Sequence, residues 1–289
     1  MAVIQVDGRA VEYVLEGDGR EVVVLCSPNF WPLDTWKLSG LPELRDRYRV
    51  IAFNNRGYGL SEGTPTEYTV YSLAEDTVRL MDALDVPRAH LVGFAYGAQV
   101  AVKIALGWPE RVSSLVLGAP GAGAPRNPND QPILAVQAAI RQKGYRAYIR
   151  GHVSDEDWAF HPEVRAAHPE RPAALADAMW EHAATEEEFL KHVRARGGHR
   201  TLDDVERITA PALVIVGDED FAARGDTTPT EFAKVLAARL PNAELAIIPR
   251  TRHMLFWERP EACWPRVREF LAAHADPTQV SPDAGAPLG

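Results

Sequence analysis

The sequence predicts an α/β protein whose mostly parallel central sheet is flanked by helices and carries an all-helical insertion. Three observations lead to this prediction. Short apolar runs alternate with segments of helical periodicity in both terminal parts of the chain, which is the pattern of a parallel sheet. A Gly-x-x-x-Gly turn at 93–97 joins one apolar run directly to a helical segment. Residues 118–208 contain helical segments but no run with the pattern of a strand.

The N-terminal part of the chain supplies most of the predicted strands. An Asp7-Gly8 turn between two alternating runs predicts a hairpin. Ser72 and Glu75 have the spacing of a capping box, which would begin a helix at 72. The predicted strands cover 2–6, 11–15, 21–26, 48–53, 89–94 and 114–117, and the predicted helices cover 36–45, 72–84 and 95–108.

The C-terminal part returns to alternating strands and helices after the insertion. Thr228 and Glu231 form a second capping box, with Pro229 at the first helical position. The predicted segments are helices over 133–142, 144–150, 172–182 and 186–196, a strand over 212–216, a helix to 240, a strand over 244–248 and a helix over 259–274. We therefore predict a core of 1–117 and 209–275, a helical cap of 118–208 and a flexible tail of 276–289.

Composition limits the classes of function. The 289 residues carry a formal net charge of −9, which disfavours nucleic acid or an anionic membrane as the main partner. No run approaches the roughly 18 apolar residues of a membrane span, and the N-terminus lacks the pattern of a signal peptide. The insertion holds six histidines, but no pair has metal-ligand spacing with a third ligand nearby. We expect a cytoplasmic monomer or homodimer that acts on a small molecule without metal or cofactor.

The central motif is the segment Gly93-Phe94-Ala95-Tyr96-Gly97. It has the spacing of a nucleophile elbow, a strained strand-to-helix turn that presents one side chain above a sheet edge. The middle position of such a turn normally holds Ser, Cys or Asp. Here it holds Ala95, so the turn for a nucleophile is present and the nucleophile is missing.

Other segments resemble motifs of the α/β-hydrolase superfamily in that family's chain order, from about residue 10 to residue 274. The resemblance implies the α/β-hydrolase fold with a helical cap, and a nucleophile, acid and histidine in that order. The segments are Asn54-Asn55-Arg56-Gly57-Tyr58-Gly59-Leu60-Ser61, in which Asn54 replaces the usual Asp, Pro109-Glu110-Arg111-Val112 after the elbow helix, Pro211 to Asp220, and Ile248-Pro249-Arg250-Thr251-Arg252-His253.

The resemblance assigns candidate roles residue by residue. His253 is the candidate base, and Asp220 is the carboxylate that would orient it, with Asp218 as the competing acid. A serine nucleophile needs such a base and such a carboxylate, because its hydroxyl is a poor nucleophile at neutral pH. The backbone N–H groups of Tyr96 and Asn29 are the candidate oxyanion donors, although Ser27-Pro28-Asn29 departs from the His-Gly-x that the family usually has there.

Aromatic residues stand beside these motifs and suggest a pocket for an apolar or aromatic small molecule. Ordinary core packing explains at least half of them equally well. Trp158 and Trp180 lie on the insertion and are candidates for a lid over that pocket. The candidate substrate-binding residues are Phe30, Trp31, Phe94, Trp158, Trp180 and Trp257.

Ala95 allows three interpretations. In the one we favour, the chain is an inactive form of a hydrolase for a small ester or lactone, with alanine in place of the nucleophilic serine. In the second, Ala95 is natural and a His253–Asp220 dyad acts as a general base, as in cofactor-independent oxygenases and some lyases of this fold. In the third, the protein binds a ligand without catalysis. Aspartate-nucleophile chemistry is disfavoured, because it needs a carboxylate at position 95.

Overall fold

A computed structural model describes residues 1–28, 31–121, 132–154, 158–221 and 227–275. Its centre is an eight-stranded sheet with the strand order β1-β2-β4-β3-β5-β6-β7-β8. The strands are β1 Ala2–Val6, β2 Arg9–Glu16, β3 Val22–Cys26, β4 Arg49–Phe53, β5 Ala89–Phe94, β6 Val112–Gly118, β7 Ala212–Gly217 and β8 Ala243–Ile248. β2 runs antiparallel to β1 and β4, and every other pairing is parallel.

The helices cover both faces of this sheet. They are α1 Asp34–Leu38, α2 Leu41–Leu44, α3 Val70–Ala83, α4 Tyr96–Gly107, α5 Pro132–Lys143, α6 Tyr145–Ser154, α7 Pro162–Ala167, α8 Glu170–Glu181, α9 Glu186–Gly197, α10 Pro229–Arg239, α11 Leu255–Glu258 and α12 Pro260–Ala273. Successive strand residues point to opposite faces, so Leu25 and Val92 belong to one apolar layer, and Val24 and Leu91 to the other. The sheet is thereby buried between two cores.

The sequence-based prediction of an α/β protein with a mostly parallel sheet is confirmed. The hairpin turn at Asp7 and Gly8 has positive φ at both residues, of 50° and 74°, as a two-residue turn between twisted strands requires. The helix expected over 36–45 is instead two short helices. They separate at Gly40, where φ is 86° and an added Cβ would lie 2.8 Å from the Trp36 ring.

The predicted start of the next helix is wrong by two residues. α3 begins at Val70, and its capping box pairs Thr69 with Ser72, with hydrogen bonds of 3.0 and 3.1 Å in the two directions. The hydroxyl of Thr69 therefore caps the N-terminus that we assigned to Ser72. The capping box at Thr228 is confirmed, with both of its bonds present. α7 and α11 were not predicted, because each is too short to show helical periodicity.

Helices α5 to α9 follow β6 and precede β7, and the described part of 119–211 adds no strand to the sheet. α8 packs against α6 within this group and against α1 of the core. The division into core and cap stays a prediction, and the tail from 276 lies outside the described residues. Within the described ranges, no helix has the length and apolar character to cross a membrane. In the same ranges, no three His, Cys, Asp or Glu side chains are grouped so that they could hold a metal ion.

Candidate active site

The Gly-x-x-x-Gly segment forms a sharp turn between β5 and α4, at the carboxyl end of the central strands. Ala95 has φ 49° and ψ −108°, and its N–H donates to the Gly118 carbonyl at 2.8 Å. A positive φ is strained for a residue that has a Cβ. An added Cβ on Gly93 would lie 2.5 Å from the Gly97 oxygen, and one on Gly97 would lie 1.9 Å from the Cys26 oxygen. Close packing of the backbone therefore holds Ala95 in this conformation.

The structure brings His253 and Asp220 together, although 33 positions separate them in the sequence. Asp220 follows β7 and His253 follows β8. The imidazole Nδ1 donates to the Asp220 Oδ2 at 2.8 Å, which leaves Nε2 as the basic nitrogen of the ring. The Asp220 side chain is fully buried and the His253 side chain is 14% exposed. Asp218, the competing acid, is exposed, and its Oδ1 accepts the Thr251 N–H at 3.2 Å.

The end of β7 is in close contact with the loop that carries His253. The Glu219 N–H donates to the Thr251 carbonyl at 3.0 Å, and the Asp218 N–H donates to the Ile248 carbonyl at 3.1 Å. Gly217 makes this approach possible, because an added Cβ would lie 2.1 Å from the Thr251 oxygen. A residue without a side chain at the last position of β7 thus sets the distance between the acid and histidine segments.

Aromatic rings surround the imidazole. The ring centroid of Phe94 lies 5.2 Å from that of His253, and the ring centroid of Trp158 lies 5.3 Å from it. Phe94 in turn contacts Trp31 at 5.4 Å and Trp257 at 5.1 Å. Trp31 and Trp257 are buried. Phe94, Trp31 and Trp257 therefore form an apolar wall that includes the elbow and ends at the imidazole, which Trp158 contacts separately.

The remaining predicted residues have different positions. The ring of Trp180 packs edge-on against Tyr145 at 5.8 Å and lies 5.5 Å from the Arg146 guanidinium, rather than contacting the imidazole. Tyr96 is the first residue of α4, where backbone N–H groups lack intrahelical acceptors. Its phenol ring is buried in the opposite apolar layer, and burial raises the pKa of its hydroxyl. Asn29 and Phe30 lie outside the described residues.

Two buried polar side chains, Asn54 and Glu12, support the loop after β3, and sequence reasoning did not predict that they pair. Asn54 accepts the Leu33 N–H on Oδ1 at 2.7 Å and donates from Nδ2 to the Glu12 carboxylate at 2.8 Å. Both side chains are almost completely buried. The departure from Asp at position 54 was visible in the sequence, but its partner Glu12 lies 42 positions away. An amide can accept from a backbone N–H and donate to a carboxylate at once, whereas an ionised Asp at this position could only accept.

A third buried polar residue, Glu258, stands five positions after His253. It is completely buried, and burial raises its pKa to about 7. Its carboxylate accepts the backbone N–H of Arg252, next to His253, at 2.7 Å. Sequence reasoning missed it because a glutamate between a tryptophan and an arginine is ordinarily expected to be exposed.

The chain matches a family model and known proteins over most of its length. A model of the alpha/beta hydrolase family matches residues 23–266, which is most of the chain. The chain belongs to the alpha/beta hydrolase family. Within it, a 2-hydroxy-6-oxononadienedioate/2-hydroxy-6-oxononatrienedioate hydrolase of Burkholderia vietnamiensis is 30% identical over 235 residues, which cover 78% of this chain and 76% of that protein.

Solved structures of hydrolases have the same fold. The enol-lactonase from Burkholderia xenovorans LB400 matches with a TM-score of 0.80 and 24% identity, over 94% of this chain and 100% of that one. Est816, described as an N-acyl homoserine lactone degrading enzyme, matches with a TM-score of 0.72 and 27% identity, over 93% and 100% of the two chains. The fold of this chain is therefore shared with solved structures that are described as an enol-lactonase and a lactone-degrading enzyme.

Proposed function

We propose that this site is the site of a hydrolase for a small apolar or aromatic ester or lactone, in which Ala95 replaces the nucleophilic serine. The observation that carries the proposal is the 2.8 Å hydrogen bond between the His253 Nδ1 and the buried Asp220 carboxylate, with the Phe94 ring of the elbow in contact with the imidazole. A base, its orienting carboxylate and a strained elbow thus occur together, and a single side chain is lacking.

With a serine hydroxyl at position 95, each group has a defined role. The Nε2 of His253 takes the hydroxyl proton as the oxygen attacks the carbonyl carbon, and Asp220 holds the imidazole in the required tautomer. Backbone N–H groups of Tyr96 and Asn29 stabilise the oxyanion. The imidazolium then gives its proton to the leaving alkoxide, and a water molecule, activated by the same nitrogen, releases the acid.

The surroundings of the imidazole support an apolar or aromatic substrate. Phe94 and Trp158 both contact the imidazole ring, and Trp31 and Trp257 extend the apolar wall behind Phe94. Small-molecule sites are lined mainly by such surfaces, with a few polar groups that orient the ligand. Est816, a lactone-degrading relative at 27% identity, is consistent with a lactone or ester as the reacting group.

Ala95 removes the nucleophile and leaves the rest of the site. A methyl group cannot form an acyl-enzyme, and loss of a triad nucleophile costs on the order of 10⁴ to 10⁶ in rate. A methyl is also smaller than CH₂OH, so it does not obstruct a substrate. The chain with Ala95 is therefore proposed to bind its substrate and to turn it over barely.

One observation favours a second candidate function, that of a general base without an acyl-enzyme. Asp220 is a fully buried carboxylate that accepts a hydrogen bond from an imidazole even though position 95 carries no hydroxyl. Burying a carboxylate is costly unless its hydrogen bonds compensate. In this candidate, His253 removes a proton from a bound substrate directly, as in the cofactor-independent oxygenases and lyases of this fold.

The Ala95→Ser variant separates these functions. The hydrolase proposal predicts that Ala95→Ser hydrolyses members of a panel of aryl esters and lactones, and that adding His253→Gln abolishes this gain. A panel that stays unhydrolysed, together with proton abstraction by the Ala95 chain that is lost on His253→Gln, would support the general base instead. Tight binding without turnover in either form would support a ligand-binding protein.

A further inference from the structure

The segment that begins at Trp158 runs along the loop that carries His253. The His253 N–H donates to the Trp158 carbonyl at 3.5 Å, and the Met254 N–H donates to the Ala159 carbonyl at 3.1 Å. The Trp158 ring also contacts the imidazole. Residues 158–161 belong to the helical insertion, so these bonds attach that insertion directly to the candidate base.

Glu258 adds two side-chain hydrogen bonds next to these two backbone bonds between the segments. Its Oε2 accepts the Arg252 N–H at 2.7 Å, and its Oε1 accepts the His161 N–H at 2.5 Å. Three consecutive N–H groups, at 252, 253 and 254, are thereby satisfied by one carboxylate and two carbonyls. The Glu258 side chain thus bridges Arg252, which precedes His253, and His161, which follows Trp158 in the other segment.

The carboxylate is held rigidly. Glu258 is the last residue of α11, and its backbone N–H donates to the Met254 carbonyl at 2.7 Å. A guanidinium N–H of Arg171, on α8, donates to its carbonyl at 2.5 Å. The guanidinium groups of Arg252 and Arg259 favour the charged carboxylate, but its burial outweighs them. A buried carboxylate with two backbone donors is costly to remove, because each donor would be left without an acceptor.

We propose that Glu258 is a positioning residue, which couples segment 158–161 to the histidine loop and so fixes the imidazole of His253 relative to position 95. This inference rests on the proposed function only for its kinetic consequence. The structural consequence, that two backbone N–H groups on separate segments lose protection together, holds whatever the reaction is. Nothing in this role requires Glu258 to touch the substrate.

The test compares Glu258→Gln and Glu258→Ala with Glu261→Gln as a matched control. Glu261 is an exposed carboxylate three positions away that interacts only weakly, at 3.4 Å, with Arg171. Each variant is made in the Ala95 chain. Amide hydrogen exchange at Arg252 and His161 and the NMR signal of the His253 Nδ1 proton are then measured in the variants and in the unchanged Ala95 chain. We expect faster exchange at both amides and a shifted His253 signal in both Glu258 variants, with Glu261→Gln unchanged.

Kinetics are measured in the Ala95→Ser background with the best ester of the panel. Misplacing a catalytic group by about 1 Å can cost about 100-fold in rate. Because Gln retains one acceptor oxygen, we expect kcat to fall about tenfold in Glu258→Gln and about 100-fold in Glu258→Ala. KM should change less than kcat in both variants, because neither removes a side chain that lines the candidate pocket, although segment 158–161 also carries Trp158.

The outcomes distinguish this inference from the proposed function. Faster exchange at both amides with no hydrolysis by Ala95→Ser would uphold the positioning role and reject the hydrolase. Active Ala95→Ser with unchanged kcat, exchange and His253 signal in Glu258→Gln would overturn the positioning role. A rise in KM without a fall in kcat would also overturn it. An equal fall in kcat in Glu261→Gln would overturn it as well. If Glu258→Ala does not fold, Glu258→Gln, which nearly conserves volume, decides.

Discussion

Exchanging the amide of Asn54 for a carboxylate should destabilise the fold in a strongly pH-dependent way. In Asn54→Asp, an oxygen replaces the Nδ2 that lies 2.8 Å from the Glu12 carboxylate. At this distance, two full charges repel by about 6 kcal/mol at an effective dielectric constant of about 20. The pair avoids that cost by keeping one proton. At pH 7, holding a proton on a carboxyl with an ordinary pKa of about 4 costs about 4 kcal/mol. This cost is the upper limit of the destabilisation at pH 7.

The sign of the pH dependence follows from linkage. Because the two carboxyl groups share one proton, the pKa of one of them is raised in the folded Asn54→Asp protein. The loss in free energy of unfolding is therefore fully present above that raised pKa. It disappears as the pH falls toward about 4, where the unfolded chain is protonated as well. We therefore expect a loss of about 3 to 4 kcal/mol at pH 7 and less than about 1 kcal/mol near pH 4.

Urea unfolding followed by tryptophan fluorescence at several pH values measures this loss. The control is Glu12→Gln combined with Asn54→Asp, which exchanges the carboxylate and amide and should recover at least half of the stability. A loss at pH 7 below about 1 kcal/mol, or an equal loss at pH 7 and pH 4, would contradict this prediction. Such a result would mean that Asn54 and Glu12 do not form the buried pair that supports the loop after β3.

Three further predictions concern the site and its supports. Gly217→Ala should lower the free energy of unfolding in urea by about 1–3 kcal/mol, because its Cβ would lie 2.1 Å from the Thr251 oxygen. As a control, Gly197→Ala should be neutral or stabilising, because its Cβ would have no atom within 4 Å. Trp158→Ala should weaken binding of aryl ligands in calorimetry by about 10-fold or more, and unchanged affinity would remove it from the pocket. Since burial raises the pKa of Glu258 from 4.5 to about 7, the native chain should lose up to about 3 kcal/mol relative to Glu258→Gln as the pH rises from 4.5 to above 7; a pH-independent difference would contradict this.

The strands and the elbow could be predicted from sequence because their signals are local. The apolar runs of β3, β5, β6 and β7 identify buried strands, and the two glycines that flank Ala95 identify the turn. Helix starts were less predictable, since the sequence pattern assigned the cap of α3 to Ser72 and the structure has it at Thr69. Both have a hydroxyl, and three-dimensional packing determines where the first turn begins.

The supports of the site could not be predicted, because they join residues far apart in the chain. Asn54 with Glu12 and Glu258 with His161 are pairs of this kind, separated by 42 and 97 positions. Trp180 was a reasonable lid candidate by residue type, but its ring contacts Tyr145 and Arg146. Residue type and order identify the candidate base and acid, while the groups that hold them in place emerge only from the fold.

Hydrolysis of aryl esters and lactones by Ala95→Ser beside the Ala95 chain, with the His253→Gln double variant as control, tests the proposed function most directly. We expect a gain in kcat/KM of at least about 10⁴-fold for some members of the panel, dependent on His253, with similar affinity of both chains for the substrate. No gain for any member by a folded Ala95→Ser protein that binds the same ligands would contradict it.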